Sequence, residues 1–225
     1  MATYEDIRNI FTRSSNNPSG VLPTTSYTLD IKNHFVEWFG GKELDDRWNE
    51  TQSGTGTFAM ADEVDGGFTL YPASSNTNYA QINFNNKRPF AHNASVMISV
   101  WKQPANNGGA STVGMCNSAG LSPNSWNKDF YGTRLWTTDT HYKLRTADAS
   151  TVTESANSDV ARNTNFNVFR WESTSSNVIM SVNGGTSVTK TTNLPTAKLQ
   201  PILMSWNENG NRDYLHVSYV EAWNT

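Results

Sequence analysis

The sequence predicts an all-β protein, built as a sandwich of two antiparallel sheets, and three observations lead to this fold class. Charged residues make up only 16% of the 225 residues, against about 25% in typical globular chains, and Asn, Ser and Thr replace them. Short runs of alternating apolar and polar residues are separated by clusters of Asn, Gly, Ser and Pro. Eight Trp, eight Tyr and ten Phe supply large side chains for the core.

The strands themselves can be placed from this alternation. A hairpin is predicted from Gly54 to Tyr71, because Asp65-Gly66-Gly67 supplies residues that tolerate positive φ between two alternating runs, Gly54–Met60 and Phe68–Tyr71. Further strands are predicted at Tyr79–Phe84, Ser95–Lys102, Thr112–Cys116, Thr133–Trp136, His141–Arg145, Asn167–Ser173, Val178–Asn183, Gly185–Thr189, Ile202–Trp206 and Tyr214–Trp223. This spacing favours a sandwich and argues against alternating strands and helices.

Residues 1–26 are predicted to form an arm, separate from a sandwich at residues 27–225. The segment Ser14–Ser26 is rich in Ser, Asn, Pro and Gly, which is the composition of a linker. A short helix is expected before it, and an isolated helix of this length is marginal in water, so its apolar stripe needs a partner. That partner is either the chain's own sandwich or another protein. The stripe, to which we assign an anchoring or assembly role, consists of Tyr4, Ile7, Ile10 and Phe11.

Charge and composition exclude several classes of function. The formal net charge is −3, and Lys87-Arg88 is the only adjacent basic pair, so the clustered cations that bind nucleic acid are missing. No stretch reaches membrane-spanning length, and the start of the chain does not resemble a signal peptide, so we expect synthesis in a cytoplasm and no membrane partner. The lone Cys116 lies in an apolar stretch and is predicted to be a buried hydrophobic residue.

Three stretches resemble proteins of the concanavalin A-like family, which includes laminin-G-like domains and family 16 glycoside hydrolases. Phe39–Trp48 is similar to the family's opening segment, Val178–Gly185 to one of its hairpins, and Leu215–Trp223 to its terminal strand. The resemblance covers roughly residues 35–224 and implies a jelly-roll β-sandwich of two antiparallel sheets. Lectins, hydrolases and structural modules share this architecture, so the fold alone does not determine the function.

The catalytic acids implied by the family 16 resemblance are missing from this sequence. Those enzymes carry E-x-D-x-x-E on one strand, which supplies a nucleophile and a general acid. The nearest match, Glu63-Val64-Asp65, falls in the predicted hairpin turn, and the segment at the expected position, Lys128–Trp136, contains one acid. The sequence therefore predicts no catalytic residue and no enzyme activity.

Signatures of other chemistry are also missing. The sequence contains no G-x-S-x-G, H-E-x-x-H or phosphate-binding G-x-x-x-x-G-K motif, and no Cys/His cluster with zinc spacing. Asp45-Asp46 and the segment Asn207–Asp213 contain oxygen ligands of the kind that calcium prefers. Polar loops have the same composition, so neither a metal nor a cofactor is predicted.

The aromatic residues point to one kind of ligand, because flat rings bind sugars by stacking on their C–H faces. We predict a glycan-binding platform on the concave side of the sandwich, and the alternative is that the same rings belong to the core. The candidate residues are Trp126, Tyr131, Trp136, Trp206, Asn207 and Asn209.

A second resemblance concerns the first seventy residues. Met1–Ile7 and Glu37–Gly67 are similar to virion structural proteins of tailed bacteriophages, particularly marine ones. This implies a non-catalytic virion protein, either a capsid decoration or fibre protein or a tail accessory. We expect it to be oligomeric and to contact other virion proteins, with host surface glycans as a further partner. Two alternatives stay open: a carbohydrate-binding, lectin-like module and a divergent glycanase.

Overall fold

The computed structural model describes residues 34–40, 43–60, 66–104, 109–123, 127–208, 210 and 213–225, with the backbone alone at 153–156. Within these ranges the chain forms fifteen β-strands and no α-helix. The predicted boundary between residues 26 and 27 lies outside the described residues, as does the stripe of Tyr4, Ile7, Ile10 and Phe11. Their anchoring role stays a prediction.

The strands follow one another along the chain with turns and loops between them. In chain order they are β1 (His34–Trp38), β2 (Asn49–Gln52), β3 (Thr57–Met60), β4 (Phe68–Tyr71), β5 (Tyr79–Asn83), β6 (Ser95–Lys102), β7 (Ala110–Cys116), β8 (Asp129–Leu135), β9 (His141–Asp148), β10 (Val152–Ala161), β11 (Asn167–Ser173), β12 (Val178–Val182), β13 (Val188–Lys190), β14 (Gln200–Trp206) and β15 (Leu215–Asn224).

Two antiparallel sheets form the predicted jelly-roll sandwich. The first sheet has eight strands in the order β13-β12-β11-β6-β15-β4-β3, and β1 also pairs with β15. The second sheet has seven strands in the order β10-β9-β8-β7-β14-β5-β2. Neighbours in these orders are often distant in sequence, so each sheet interleaves strands from both ends of the described chain. The fold class predicted from the sequence is thereby confirmed.

Alternation along the strands divides the side chains between the core and the outer faces. Trp101 and Phe169 of the first sheet stack with their ring centroids 4.4 Å apart, and the ring of Tyr142 from the second sheet meets Trp101 edge-on at 5.7 Å. Val113 and Leu203 of the second sheet belong to the same cluster and are fully buried. Among the described residues, eleven Trp, Tyr and Phe side chains are buried in this core.

Several local predictions are confirmed and three strands were missed. β3 and β4 form the predicted hairpin, in which Thr57 pairs with Tyr71. The Asn183-Gly184 turn has left-handed φ values of 52° and 71°, which these two residue types tolerate best. The missed strands are β1, β2 and β10. β2 and β10 are the end strands of the second sheet, and their polar sequences lack the apolar alternation that marks a strand buried on one face.

The second sheet is buried on both of its faces, because β7, β8 and β14 are buried along their entire length. At its centre Gly114 lies directly opposite Gly132. A Cβ atom on Gly114 would lie 2.2 Å from the carbonyl oxygen of Tyr131, and one on Gly132 would lie 2.9 Å from the ring of Phe130. Because neither position carries a side chain, the backbones of β7 and β8 and the ring of Phe130 can pack closely at the middle of this sheet.

Candidate functional site

Two of the predicted platform residues, Trp136 and Trp206, lie on the outer face of the second sheet. The side chains that alternation places there form a separate buried cluster, distinct from the core between the sheets. It contains Ala110, Cys116, Phe130, Ala147, Ile202, Met204 and Trp206, with Leu121 from the loop after β7 and the partly buried Tyr79 and Trp136 packed against it. This face is thus covered by apolar side chains of the same chain.

A glycosidase of the family 16 type would need a pair of carboxylates on one face of the sheet. None of the described outward side chains of β7, β8, β9 and β14 is a carboxylate; the charged residues among them are Arg134, Lys143 and Arg145. Glu63 and Asp65, the acids nearest to the family motif, lie outside the described residues. The charges among the described outward side chains of these four strands are therefore positive.

One carboxylate approaches these cations from the loop between β8 and β9. Asp139 accepts a hydrogen bond from Lys143 Nζ at 2.6 Å and another from a terminal guanidinium nitrogen of Arg145 at 3.3 Å. Its Oδ2 atom also accepts the backbone N–H of Trp136 at 2.8 Å. The side chains of Asp139 and Arg145 are 5% and 2% exposed. A carboxylate engaged by two cations and a backbone amide holds the loop against the sheet. A second acid, Glu208, lies at the same loop and accepts the backbone N–H of Thr137 at 2.7 Å.

On the same face, Arg134 stacks on the indole rings of Trp136 and Trp206. The guanidinium carbon of Arg134 lies 3.8 Å from the ring centroid of Trp136 and 5.1 Å from that of Trp206, and the two indole rings meet edge to face at 5.7 Å. Such stacking on indole is favourable, and more so where water is excluded. Arg134 therefore occupies one face of the Trp136 ring, and Trp136 is partly buried.

The loop after β7 adds a further cover. Leu121 is 1% exposed, and the carbonyl oxygen of Ala119 accepts a hydrogen bond of 2.8 Å from the Gln81 side chain on β5. Arg134 donates to the carbonyl oxygen of Pro123 at 3.4 Å. These contacts fasten the loop across the outer face of the sheet.

The predicted platform residues are distributed over several environments. Trp136 and Trp206 come together, as described. Tyr131 requires a correction, because it points into the core between the sheets, where its hydroxyl group lies 3.0 Å from Ser95 Oγ and burial raises the pKa of its phenol. Asn207 is fully buried and donates to the carbonyl oxygens of Ala73 and Ser74. Trp126 and Asn209 lie outside the described residues.

Cys116 is fully buried, and burial raises the pKa of its thiol to about 12, which confirms the prediction of a buried hydrophobic residue and leaves almost no thiolate at neutral pH. The described residues contain no group of three or more His, Cys, Asp or Glu side chains arranged to hold a metal ion. They also contain no helix that is long and apolar enough to cross a membrane.

The outer face of the first sheet was missed by the sequence analysis. Met97 and Trp101 of β6 point into the core, so Val96, Ile98 and Val100 point outward. Val100 is flanked by Tyr219, whose ring lies 4.4 Å from that of Trp38, and Trp38 is 48% exposed. The signal was present in the sequence, because Ser95–Lys102 is apolar at both alternating positions, a pattern typical of strands covered on both faces.

Asp139 should stabilise the fold far more than an acid in a surface ion pair does. Asp139→Asn removes the countercharge of a buried arginine, so the free energy of unfolding should fall by about 3–5 kcal/mol. The matched control is Asp45→Asn, which weakens the exposed pair with Arg47 and should cost less than about 1 kcal/mol. Urea unfolding of both variants measures the difference. Equal losses would contradict the stabilising role that we assign to Asp139.

Comparison with solved structures identifies the fold. The β-glucanase of Bacillus licheniformis is similar with a TM-score of 0.61 at 14% identity, over 86% of this chain and 99% of that chain. The carbohydrate recognition domain of Emp47p gives a TM-score of 0.60 at 9% identity, over 86% and 95%. A protein of unknown function from Shewanella oneidensis MR-1 gives 0.62 at 12% identity, over 100% and 95%.

No protein-family model matches the chain, and no curated protein sequence does. The structural matches are therefore what the chain is similar to, and at these identities they show the fold alone. That fold is the concanavalin A-like jelly-roll β-sandwich, which glycoside hydrolases and lectin-like domains share.

Proposed function

We propose that this chain is a non-catalytic, lectin-like β-sandwich that serves as a structural module. The observation that supports it most is the state of the second sheet's outer face. None of the described outward side chains of its four central strands is a carboxylate, and the two acids at its edge, Asp139 and Glu208, accept backbone N–H groups of the β8–β9 loop. Arg134 and the loop after β7 cover the face. A retaining or inverting glycosidase needs two carboxylates and room for a sugar chain between them.

The proposal predicts that the purified protein releases no reducing ends from β-1,3 or β-1,4 glucans, agarose or bacterial surface polysaccharide. A heat-denatured sample of the same protein sets the background of the assay. Activity above that background would contradict the proposal. Comparing Glu63→Gln with Asp139→Asn would then show whether the acid resides in the segment before β4 or in the β8–β9 loop.

Within this proposal, the sandwich is a bacteriophage virion protein, displayed as a capsid decoration or fibre protein or as a tail accessory. The support is the resemblance of residues 1–7 and 37–67 to virion proteins, together with an outer face of the first sheet that exposes Trp38 beside outward Val100 and Val168. Apolar patches on otherwise polar surfaces commonly mark contacts with other proteins. Residues 1–26 act as the anchor, and the protein resides in the virion.

The virion assignment is tested by sequencing the DNA on both sides of the gene. We expect neighbouring genes for a major capsid protein or for tail proteins, because genes for parts of one particle are usually adjacent. Neighbouring genes for polysaccharide-degrading enzymes would contradict the virion role and favour carbohydrate recognition.

Carbohydrate recognition is the second candidate function. Two observations favour it: the fold shared with the carbohydrate recognition domain of Emp47p, and a cleft on the first sheet lined by Tyr71 and Tyr214. The two functions are compatible, because a module displayed on a particle can also bind a surface glycan.

A further inference from the structure

A cleft of about 430 Å³ opens beside the β3–β4 hairpin, on the other sheet from the predicted platform. Its size lies at the lower end of the range of about 300–1,000 Å³ that is typical of small-molecule sites. The lining residues are Thr55, Thr57, Tyr71, Pro72, Asp213 and Tyr214.

Strand pairing brings the aromatic residues of this cleft together. Thr57 pairs with Tyr71 across the hairpin, and Leu70 pairs with Leu215, so Tyr214 lies next to Tyr71 in the sheet. Leu70 and Leu215 are core residues, so alternation places the two tyrosines on the outer face. Their ring centroids are 5.1 Å apart and the rings are inclined by 35°. Tyr71 is 39% exposed.

Packing holds the backbone around these rings in place. A Cβ atom on Gly56 would lie 3.1 Å from the carbonyl oxygen of Tyr71, so the turn before β3 packs closely against β4. The carbonyl oxygen of Asp213 accepts a hydrogen bond of 2.9 Å from Ser205 Oγ. A Cβ atom on Gly109 would lie only 2.5 Å from the backbone nitrogen of Asp213. The cleft is therefore preformed on both sides of the tyrosine pair.

Polar groups surround the aromatic floor of the cleft. The hydroxyl groups of Thr55 and Thr57 lie on exposed residues at one side. Asp213 lies at the other side, where its Oδ1 atom accepts the backbone N–H of Tyr214 at 2.8 Å. This combination provides flat apolar rings for C–H groups, and both donors and acceptors for hydroxyl groups.

We propose that this cleft binds a neutral glycan chain, with successive sugar rings stacked on Tyr71 and Tyr214 and their hydroxyl groups bonded to Thr55, Thr57 and Asp213. The lining contains one carboxylate, Asp213, which is 5% exposed, and no cation, so nothing in it attracts a glycan that carries carboxylates or sulfates. With one acid in the lining, the cleft binds the chain without cleaving it. This inference deepens the carbohydrate-recognition function and is independent of the virion role.

The test is a titration of the whole protein, carrying isotope-labelled tyrosine, with neutral tetrasaccharides. Suitable probes are cellotetraose, laminaritetraose and chitotetraose, with tetragalacturonate as the anionic comparison. We expect at least one neutral probe to shift the Tyr71 and Tyr214 ring signals saturably, and the anionic probe to bind more weakly. Titration calorimetry should show that Tyr71→Ala weakens binding about tenfold or more.

The matched control is Trp38→Ala, which removes another exposed aromatic ring of the same sheet and should leave the affinity unchanged. Tyr71→Phe keeps the ring, so it should retain most of the affinity even if Tyr71→Ala folds poorly. Ring signals that no neutral probe shifts, or equal affinity for the wild-type protein and a folded Tyr71→Ala variant, would overturn the proposal. Cleavage of a probe would contradict the non-catalytic function alone, so the two failures are distinguishable.

Discussion

The second sheet is buried on both faces, and each face therefore needs its own cover. The first sheet covers one of them with aromatic side chains such as Trp101. The other face is covered by the chain's own loops and by Arg134 stacked on Trp136. Buried cations are costly unless they are paired, so the face also requires Asp139 at its edge. The loop between β8 and β9 carries Asp139 and must therefore lie against the sheet, where this carboxylate pairs with Lys143 and Arg145.

Because the outer face of the second sheet is covered, other molecules must contact other surfaces of the protein. A jelly-roll sheet with an open outer face can accept a sugar chain along its length, as the hydrolytic mechanism requires. Here the described part of that face is filled, and the exposed aromatic residues Trp38 and Tyr71 both belong to the first sheet. The fold alone does not decide the function, which depends on the site and not on the architecture.

Sequence patterns predicted the fold class and most of the strands, because strands with one solvent-exposed face alternate clearly. They failed where alternation is weak, as in the polar edge strand β10. The misplacement of Tyr131 has a related cause: β8 is apolar at successive positions Phe130 and Tyr131, so a strand covered on both sides does not reveal which side is the core. The pairing of Tyr71 with Tyr214 was unpredictable, because residues so distant in sequence meet only through the strand order of the sheet.

We infer that the outer face of the second sheet is closed to solvent and ligand around Trp206, with Trp136 beside it partly buried. Fluorine NMR of protein containing fluorinated tryptophan tests it most directly, with signals assigned by single Trp→Phe variants. The Trp206 signal, from a side chain 1% exposed, should be the same in light and heavy water, whereas the Trp38 signal should shift. A Trp206 signal that shifts as much as that of Trp38 would contradict a closed face.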